Sequence, residues 1–214
     1  MEINKIVRQN LLTDMALRRV EIFVLHHSIP ENTERCVSSI LKYTDWPFKL
    51  TILDTSYYQR GLLAKIYNKL LEESTCEYVA FVCSDAEFEN PWLEKLFKDL
   101  ISDVHVMCVT PLIIPSVNRS SDLSPYTGIY NISPNELSMS VSLFPKHLIL
   151  DSNGFDERYY LYGHDSALLN KLNHKGAKFL IDTSVTVRHK VGSTTKRLFT
   201  PEELELVKEY NKTI

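Results

Sequence analysis

The 214-residue sequence contains no apolar run long enough to cross a bilayer, since its most apolar stretch, residues 104–114, includes His105 and Pro111. Its first ten residues, MEINKIVRQN, lack the charged-then-apolar pattern of a secretion signal. Its four cysteines form neither a CxxC pair nor a zinc-binding spacing. These absences predict a cytoplasmic protein with four reduced thiols.

The sequence also lacks a strong surplus of either charge, because 24 basic residues face 27 acidic ones and the net charge is −3. This balance disfavours a protein whose main role is to coat nucleic acid. A hydrophobic content of 44% and a charged content of 24% are ordinary for globular proteins. There is no internal repeat and no low-complexity tract. The length therefore predicts a single domain with a substantial core.

Strand-like apolar segments alternate with segments of helical spacing along the chain. The predicted strands are Val20–His26, Phe48–Asp54, Tyr78–Cys83 and residues 105–110, 139–144, 178–182 and 185–189. The predicted helices cover residues 32–43, 62–73, 91–100, 165–175 and 200–211. Residues 115–137, rich in Ser, Pro, Asn and Tyr, predict a long surface loop. The alternation predicts an α/β domain in which helices flank a mostly parallel central sheet.

Polar side chains follow the carboxyl ends of the predicted strands. They are His26, His27, Ser28, Asp54, Ser84, Asp85, Glu87, His189 and Lys190. In an open α/β sheet, ligands bind at this edge, so acidic, histidine and hydroxyl side chains gathered there predict a site for a metal-bridged diphosphate. Each residue also has a structural interpretation, since an aspartate at a strand end often supports a turn and Asp165 would cap a helix. Their joint order along the chain favours the site.

Two stretches resemble the family 2 glycosyltransferases of the GT-A fold, a group of inverting enzymes with a nucleotide-binding N-terminal half. The sequence EYVAFVCSDAEFENPWLEKL, residues 77–96, resembles the family's strand, its DxD element and the helix that follows. The sequence NGFDERYYLYGHDSALLNKLNHKGAKFLIDTSVTVRH, residues 153–189, resembles the family segment that carries the general base and a late histidine. The resemblance implies a Rossmann-like GT-A architecture.

The resemblance also implies a division of the chain. The GT-A domain would span residues 20–195, with a nucleotide-binding half at 20–110 and an acceptor and catalytic half at 111–195. A helical extension, residues 1–19, would precede this domain. A C-terminal lid and helix, residues 196–214, would follow it.

The resemblance assigns a role to each matched residue. Asp85 matches the last aspartate of DxD, which meets the metal, and His189 would complete the coordination of Mn²⁺ or Mg²⁺. A nitrogen ligand favours Mn²⁺ of the two. Asp165 matches the general base. The residues expected to contact the nucleotide-sugar donor are His26, Ser28, Asp54, Asn68, Ser84 and Asp85.

Two of the departures from the family pattern lie in the DxD element and in the pair that carries the base. Cys83 stands at the first position of DxD, and the family's Glu-Asp pair is His164-Asp165. The sequence also has no QxxRW element, which disfavours a processive polysaccharide synthase.

The expected activity is metal-dependent transfer, with inversion, of a sugar from a nucleotide sugar, with a UDP-sugar favoured, to a hydroxyl group of a glycan or other glycoconjugate. Asp165 would take the proton of the attacking hydroxyl. One alternative is a non-catalytic nucleotide-sugar-binding module, in which Cys83 and His164 mark the loss of activity. Another is glycosylation of a modified DNA base. A nucleotidyltransferase is disfavoured, because HHSIPENTERC after the first strand has neither a Gly-rich phosphate loop nor a Lys-Pro element.

Overall fold

The structure is a computed structural model that describes residues 18–27, 29–55, 62–115, 127–137, 139–190 and 199–214. The strands are β1 (Val20–His26), β2 (Phe48–Asp54), β3 (Tyr78–Cys83), β4 (Ala86–Phe88), β5 (Val106–Ile114), β6 (Ile129–Ile132), β7 (Val141–Pro145) and β8 (Lys178–His189). The helices are α1 (Pro30–Tyr43), α2 (Leu63–Glu73), α3 (Leu93–Leu100), α4 (Lys146–Leu150), α5 (His164–His174) and α6 (Pro201–Asn211). The predicted N-terminal helix and the start of the predicted lid lie outside the described residues.

The strands form one sheet in the order β2-β1-β3-β7-β5-β8-β4, with β6 beside β8. β1 runs parallel to β2 and β3, and β5 runs parallel to β8. β7 is antiparallel to both of its neighbours, and β4 and β6 are antiparallel to β8. The predicted α/β architecture is confirmed, and the antiparallel strands β4, β6 and β7 make the sheet mixed. Within the described ranges, no helix is long and apolar enough to cross a membrane.

The structure corrects the prediction of two separate strands near the end of the domain. Residues 178–182 and 185–189 belong to the single strand β8, which is interrupted by a bulge rather than by a turn. Pro111 of β5 pairs with Asp182, but the next residue of β5 pairs with Thr186. Inside the bulge, the backbone N–H of Thr183 donates to the Gly128 carbonyl at 2.9 Å. The segment before β6 therefore provides a hydrogen-bond partner for the part of the β8 backbone that does not pair with β5.

Two hydrophobic cores cover the two faces of the sheet. On one face, α1 and α3 pack against β1 and β3 through a cluster that includes Cys36, Ile40, Leu93, Leu96, Phe97, Val20, Ile22, Val24, Ala80 and Val82. On the other face, α2 and α5 pack through Ala64, Ile66, Leu70, Leu71, Leu168, Leu169 and Leu172 against Phe23, Val79 and Phe81. Alternate residues of β1 and β3 point to opposite faces, as strand geometry requires. The helices thus leave the carboxyl ends of β1, β2 and β3 at one edge of the sheet.

A pair of buried carboxyl groups lies between α3 and β8. The side chains of Asp99 and Asp182 belong to residues that are only 9% and 1% exposed. Asp182 accepts a hydrogen bond from the Ser184 backbone N–H at 2.9 Å, and the Lys95 amine lies 3.7 Å from its other oxygen. Burial, and then the neighbouring Asp182 carboxylate, raise the pKa of Asp99 to about 6. Asp99 therefore holds its proton to a higher pH in the folded chain than in the unfolded one.

We expect this pair to make the protein less stable as pH rises through 6. Between pH 4 and 6 the folded state binds a proton that the unfolded state releases, so the free energy of unfolding falls with rising pH. Asp99→Asn keeps a neutral side chain at every pH, and should therefore raise the free energy of unfolding at pH 8 by roughly 1–2 kcal/mol. Urea denaturation should show little gain at pH 4.5, and an equal gain at both pH values would contradict this account.

Candidate functional site

The turn between β3 and β4 places Asp85 beside the end of β8. β3 ends at Cys83, Ser84 and Asp85 form the turn, and β4 then pairs antiparallel with β8 so that Ala86 lies opposite His189. The Lys190 backbone N–H extends the pairing by donating to the Asp85 carbonyl at 3.2 Å. Two segments far apart in the sequence are therefore held side by side by backbone hydrogen bonds.

Three side chains that can ligate a metal converge at this turn. The thiol of Cys83, a carboxylate oxygen of Asp85 and a ring nitrogen of His189 all lie within 4.8 Å of one another. His189 Nε2 is 3.1 Å from Asp85 Oδ1, and the two side chains are 11% and 9% exposed. The structure thus brings together Asp85 and His189, and it adds Cys83. The sequence did carry a sign that Cys83 lies in the cluster. Cys83 and Asp85 are two residues apart, as are the two aspartates of DxD.

The ionisation of His189 follows from these contacts. Burial by itself lowers the pKa of the imidazole, but hydrogen bonds to Asp85 and Cys83, together with the negative charge of both groups, raise the pKa of His189 to about 10. The protonated imidazole is thus the charge partner of Asp85. Imidazole, carboxylate and thiol are all ligands of divalent transition metals, so the donor set fits such an ion, which would replace the proton.

A small open pocket lies next to the cluster and is lined by two basic and two acidic side chains. Its lining residues are Asn32, Arg35, Asp85, Ala86, Glu87 and Lys190. The Arg35 guanidinium donates to the Asn32 side-chain oxygen at 2.6 Å, which fixes the orientation of the guanidinium. Arg35 and Lys190 would suit the oxygens of a phosphate group. Sequence analysis did not single out Asn32 or Arg35, because both lie inside α1 and reach the pocket only through the fold.

The ends of β1 and β2 carry the residues predicted to meet the donor's nucleoside. His26 pairs in register with Asp54, whose side chain lies in an exposed position. His26 Nδ1 lies 2.7 Å from the Thr33 hydroxyl of α1, a hydrogen bond that fixes the imidazole ring. Ser84 is buried in the turn beside Asp85. The predicted contact of Ser28 lies outside the described residues.

Asp165 lies in the first turn of α5. One of its carboxylate oxygens accepts the Ser166 backbone N–H at 2.8 Å. Burial, and then the negative charges of Cys83 and Asp165, raise the pKa of the Tyr67 hydroxyl far above its usual value. Cys83 and Asp165 therefore both lie close enough to the Tyr67 phenol to affect its ionisation.

The turn before α5 requires a glycine. Gly163 has φ +93°, and a Cβ there would lie 2.6 Å from Cδ1 of Tyr159. The next residue, His164, is buried, and its Nδ1 has no hydrogen-bond partner within the part of the chain that the structure describes. Burial lowers the pKa of His164, opposed by the charge of Asp165. His164 therefore packs as a neutral ring, with its centroid 5.6 Å from that of Phe155.

Asn68 joins α2 to the loop that leads into α5. Its amide donates to the Phe155 carbonyl at 2.9 Å and to the Glu157 carboxylate at 3.0 Å, and its oxygen accepts the Phe155 backbone N–H at 2.8 Å. A Cβ on Gly154 would lie 2.5 Å from the same oxygen. The resemblance assigns Asn68 a contact with the donor, and in the structure its amide bonds to the Phe155 backbone and the Glu157 side chain.

Comparison with known proteins identifies the fold. No protein-family model and no curated protein matches the sequence. The structure is similar to the mannosyltransferase PcManGT from Pyrobaculum calidifontis, solved with GDP-Man and Mn²⁺ (TM-score 0.63, 16% identity, 92% of this chain and 64% of that one). It is also similar to GalNAc-T7 solved with UDP, GalNAc and Mn²⁺ (TM-score 0.60, 12% identity, 80% of this chain and 43% of that one).

S. aureus TarS is a third similar structure, with a TM-score of 0.62 and 15% identity over 88% of this chain and 38% of that one. The chain therefore spans 43%, 64% and 38% of GalNAc-T7, PcManGT and TarS respectively. Likeness at this level of identity establishes the architecture. The chain has the GT-A fold that the sequence resemblance predicts.

Proposed function

We propose that this protein is a glycosyltransferase that uses a nucleotide-sugar donor and a divalent metal ion. The observation that carries the proposal is the convergence of Cys83, Asp85 and His189 beside a pocket with two basic side chains. Mn²⁺ in the structures of PcManGT and GalNAc-T7, with GDP-Man in the first and UDP in the second, supports it. A hydroxyl group of a glycan or glycoconjugate is the proposed acceptor, bound by the half of the domain at residues 111–195.

The residues of the cluster and the pocket would hold the diphosphate of the donor. A bound divalent ion would supply positive charge against the negative charge that develops on the leaving diphosphate. Asp85 and His189 would hold that ion, while Arg35 and Lys190 would contact phosphate oxygens directly. Asp54 and His26 would contact the nucleoside, with the His26 ring fixed by Thr33. We also retain Ser28 and Ser84 as donor contacts.

Asp165 is the proposed general base. Its carboxylate would accept the proton of the acceptor hydroxyl as that hydroxyl attacks the anomeric carbon. One base and direct attack give a single displacement with inversion, which agrees with the resemblance to family 2. The hydrogen bond from the Ser166 N–H orients one carboxylate oxygen and leaves the other for the acceptor.

The variant Asp165→Asn should lose transfer while it keeps donor binding. An amide cannot accept the proton, so the transfer rate should fall by about 10²–10⁴-fold. Calorimetric titration should give an unchanged Kd for the donor, and Asp151→Asn, in the exposed turn after α4, is the matched control. Normal transfer by Asp165→Asn would remove Asp165 as the base.

The variant Asp85→Ala should lose the metal-dependent part of donor binding. Removing the carboxylate removes one ligand and leaves the His189 imidazole without its charge partner. Calorimetry of UDP and GDP sugars with and without Mn²⁺ should show a gain in affinity from Mn²⁺ in the parent protein and in Glu89→Ala, but not in Asp85→Ala. Equal gains in all three proteins would place the metal elsewhere.

Donor hydrolysis separates the enzyme from a non-catalytic nucleotide-sugar-binding module. With Mn²⁺ and no acceptor, the parent protein should release the nucleotide slowly from a matching donor, since water can replace the acceptor. Donor binding without any hydrolysis or transfer would favour the binding module. Transfer to a modified DNA base would show itself if such DNA, and no glycan, serves as acceptor.

We propose that Asn68 positions the loop that leads into α5, the helix that carries the proposed base Asp165. Asn68→Ala removes the hydrogen bonds to the Phe155 backbone and should lower the free energy of unfolding by about 1–3 kcal/mol, because the backbone N–H and carbonyl of the buried Phe155 lose their partners. Thermal unfolding should show a clear drop for Asn68→Ala and little change for Asn170→Ala on the exposed face of α5. A normal melting temperature together with weakened donor binding would instead support a direct contact between Asn68 and the nucleotide of the donor.

A further inference from the structure

Cys83 differs from the other three cysteines in its surroundings. Cys36, Cys76 and Cys108 are buried, and burial raises the pKa of each thiol. Cys83 is free of disulfide bonds and partly exposed, and it faces Asp85 and His189. The Cys36 thiol donates to the Cys83 carbonyl at 3.4 Å, which anchors the end of β3 against α1. Cys83 is therefore held in place, with its own sulfur directed to the cluster.

The distances within the cluster suit a single ion. Tetrahedral coordination with bonds of about 2.0–2.3 Å places ligand atoms about 3.3–3.8 Å apart. The three ligand atoms already lie within 4.8 Å of one another, and two of them are 3.1 Å apart. Small side-chain rotations would bring all three into contact with one cation. Three protein ligands leave at least one coordination position for a non-protein ligand, as in catalytic zinc sites.

We propose that Cys83 is the third protein ligand of this site and that its thiolate shifts the metal preference from Mn²⁺ or Mg²⁺ towards Zn²⁺. The inference deepens the proposed function, since it concerns the same site. Mg²⁺ and Mn²⁺ favour carboxylate and other oxygen ligands, whereas a thiolate favours Zn²⁺ and other softer ions. An aspartate at this position, as in DxD, would give two carboxylates and one imidazole. The cysteine changes one of three ligands from hard to soft.

Metal binding by the full chain without donor or acceptor tests this inference. Divalent ions bind nitrogen, oxygen and sulfur sites in a general order that already favours Zn²⁺ over Mn²⁺, so the informative quantity is the ratio of the two affinities. Competition against a chromophoric chelator should show that Cys83→Asp lowers the Zn²⁺-to-Mn²⁺ affinity ratio by more than about tenfold, or about 1.4 kcal/mol. Cys83→Ser should weaken Zn²⁺ binding without strengthening Mn²⁺ binding.

Cobalt spectroscopy gives a second readout that does not depend on activity. Co²⁺ bound to a thiolate has a sulfur-to-metal charge-transfer absorption in the near ultraviolet. The parent protein and Cys76→Ser should show this absorption, and Cys83→Ser and Cys83→Asp should lack it. Circular dichroism and melting temperatures should show that all four proteins are folded.

The outcomes separate this inference from the proposed function. Metal binding with an unchanged affinity ratio in Cys83→Asp, or with no thiolate absorption in the parent protein, overturns the role of Cys83 and leaves the glycosyltransferase proposal standing. Thiolate coordination in a protein that binds no nucleotide sugar supports Cys83 as ligand and overturns the proposed function. No binding of Zn²⁺, Co²⁺ or Mn²⁺ overturns both.

Discussion

The backbone pairing of β4 with β8 is the interaction on which the candidate site depends. It spans only three residues of β4, yet it sets Asp85 beside His189 from a distant part of the chain. The side chains of the cluster then need to adjust only locally. A site of this kind is set by the sheet more than by the loops around it, which agrees with the tendency of α/β folds to bind ligands at strand ends. Under the proposed function, the surrounding loops would determine which sugar and acceptor are bound.

Much of the fold could be predicted from the sequence where an element is long and apolar. β1, β2 and β3 have the predicted bounds, because each is rich in β-branched and apolar residues. β4 and β6 were missed, since three and four residues are too few to show a period. Their strand character comes from pairing with β8, which is a property of the tertiary structure. The antiparallel direction of β7 likewise cannot be predicted from the residues of that strand.

The site was predictable where chemistry and position in the sheet agree. Asp85 and His189 stand at strand ends and carry metal-binding side chains, so both features pointed to them. Cys83 was treated as a departure from a motif, and only the distances among three side chains show what it can do there. The contacts of Arg35 and Asn68, in contrast, could not be predicted from the sequence. Each lies within a helix, and what it contacts depends on which loop or pocket the fold brings to that helix.

The bulge in β8 decides which face of the sheet its last residues occupy. Between the pairs Pro111–Asp182 and Leu112–Thr186, β8 advances four residues while β5 advances one. Three extra residues are an odd number, so the alternation of side chains is inverted beyond them. Phe179 accordingly enters the core beneath α2 and α5, whereas Val187 enters the core beneath α1 and α3. His189 shares the parity of Val187, so an uninterrupted strand of the same sequence would carry its imidazole to the opposite side of the sheet.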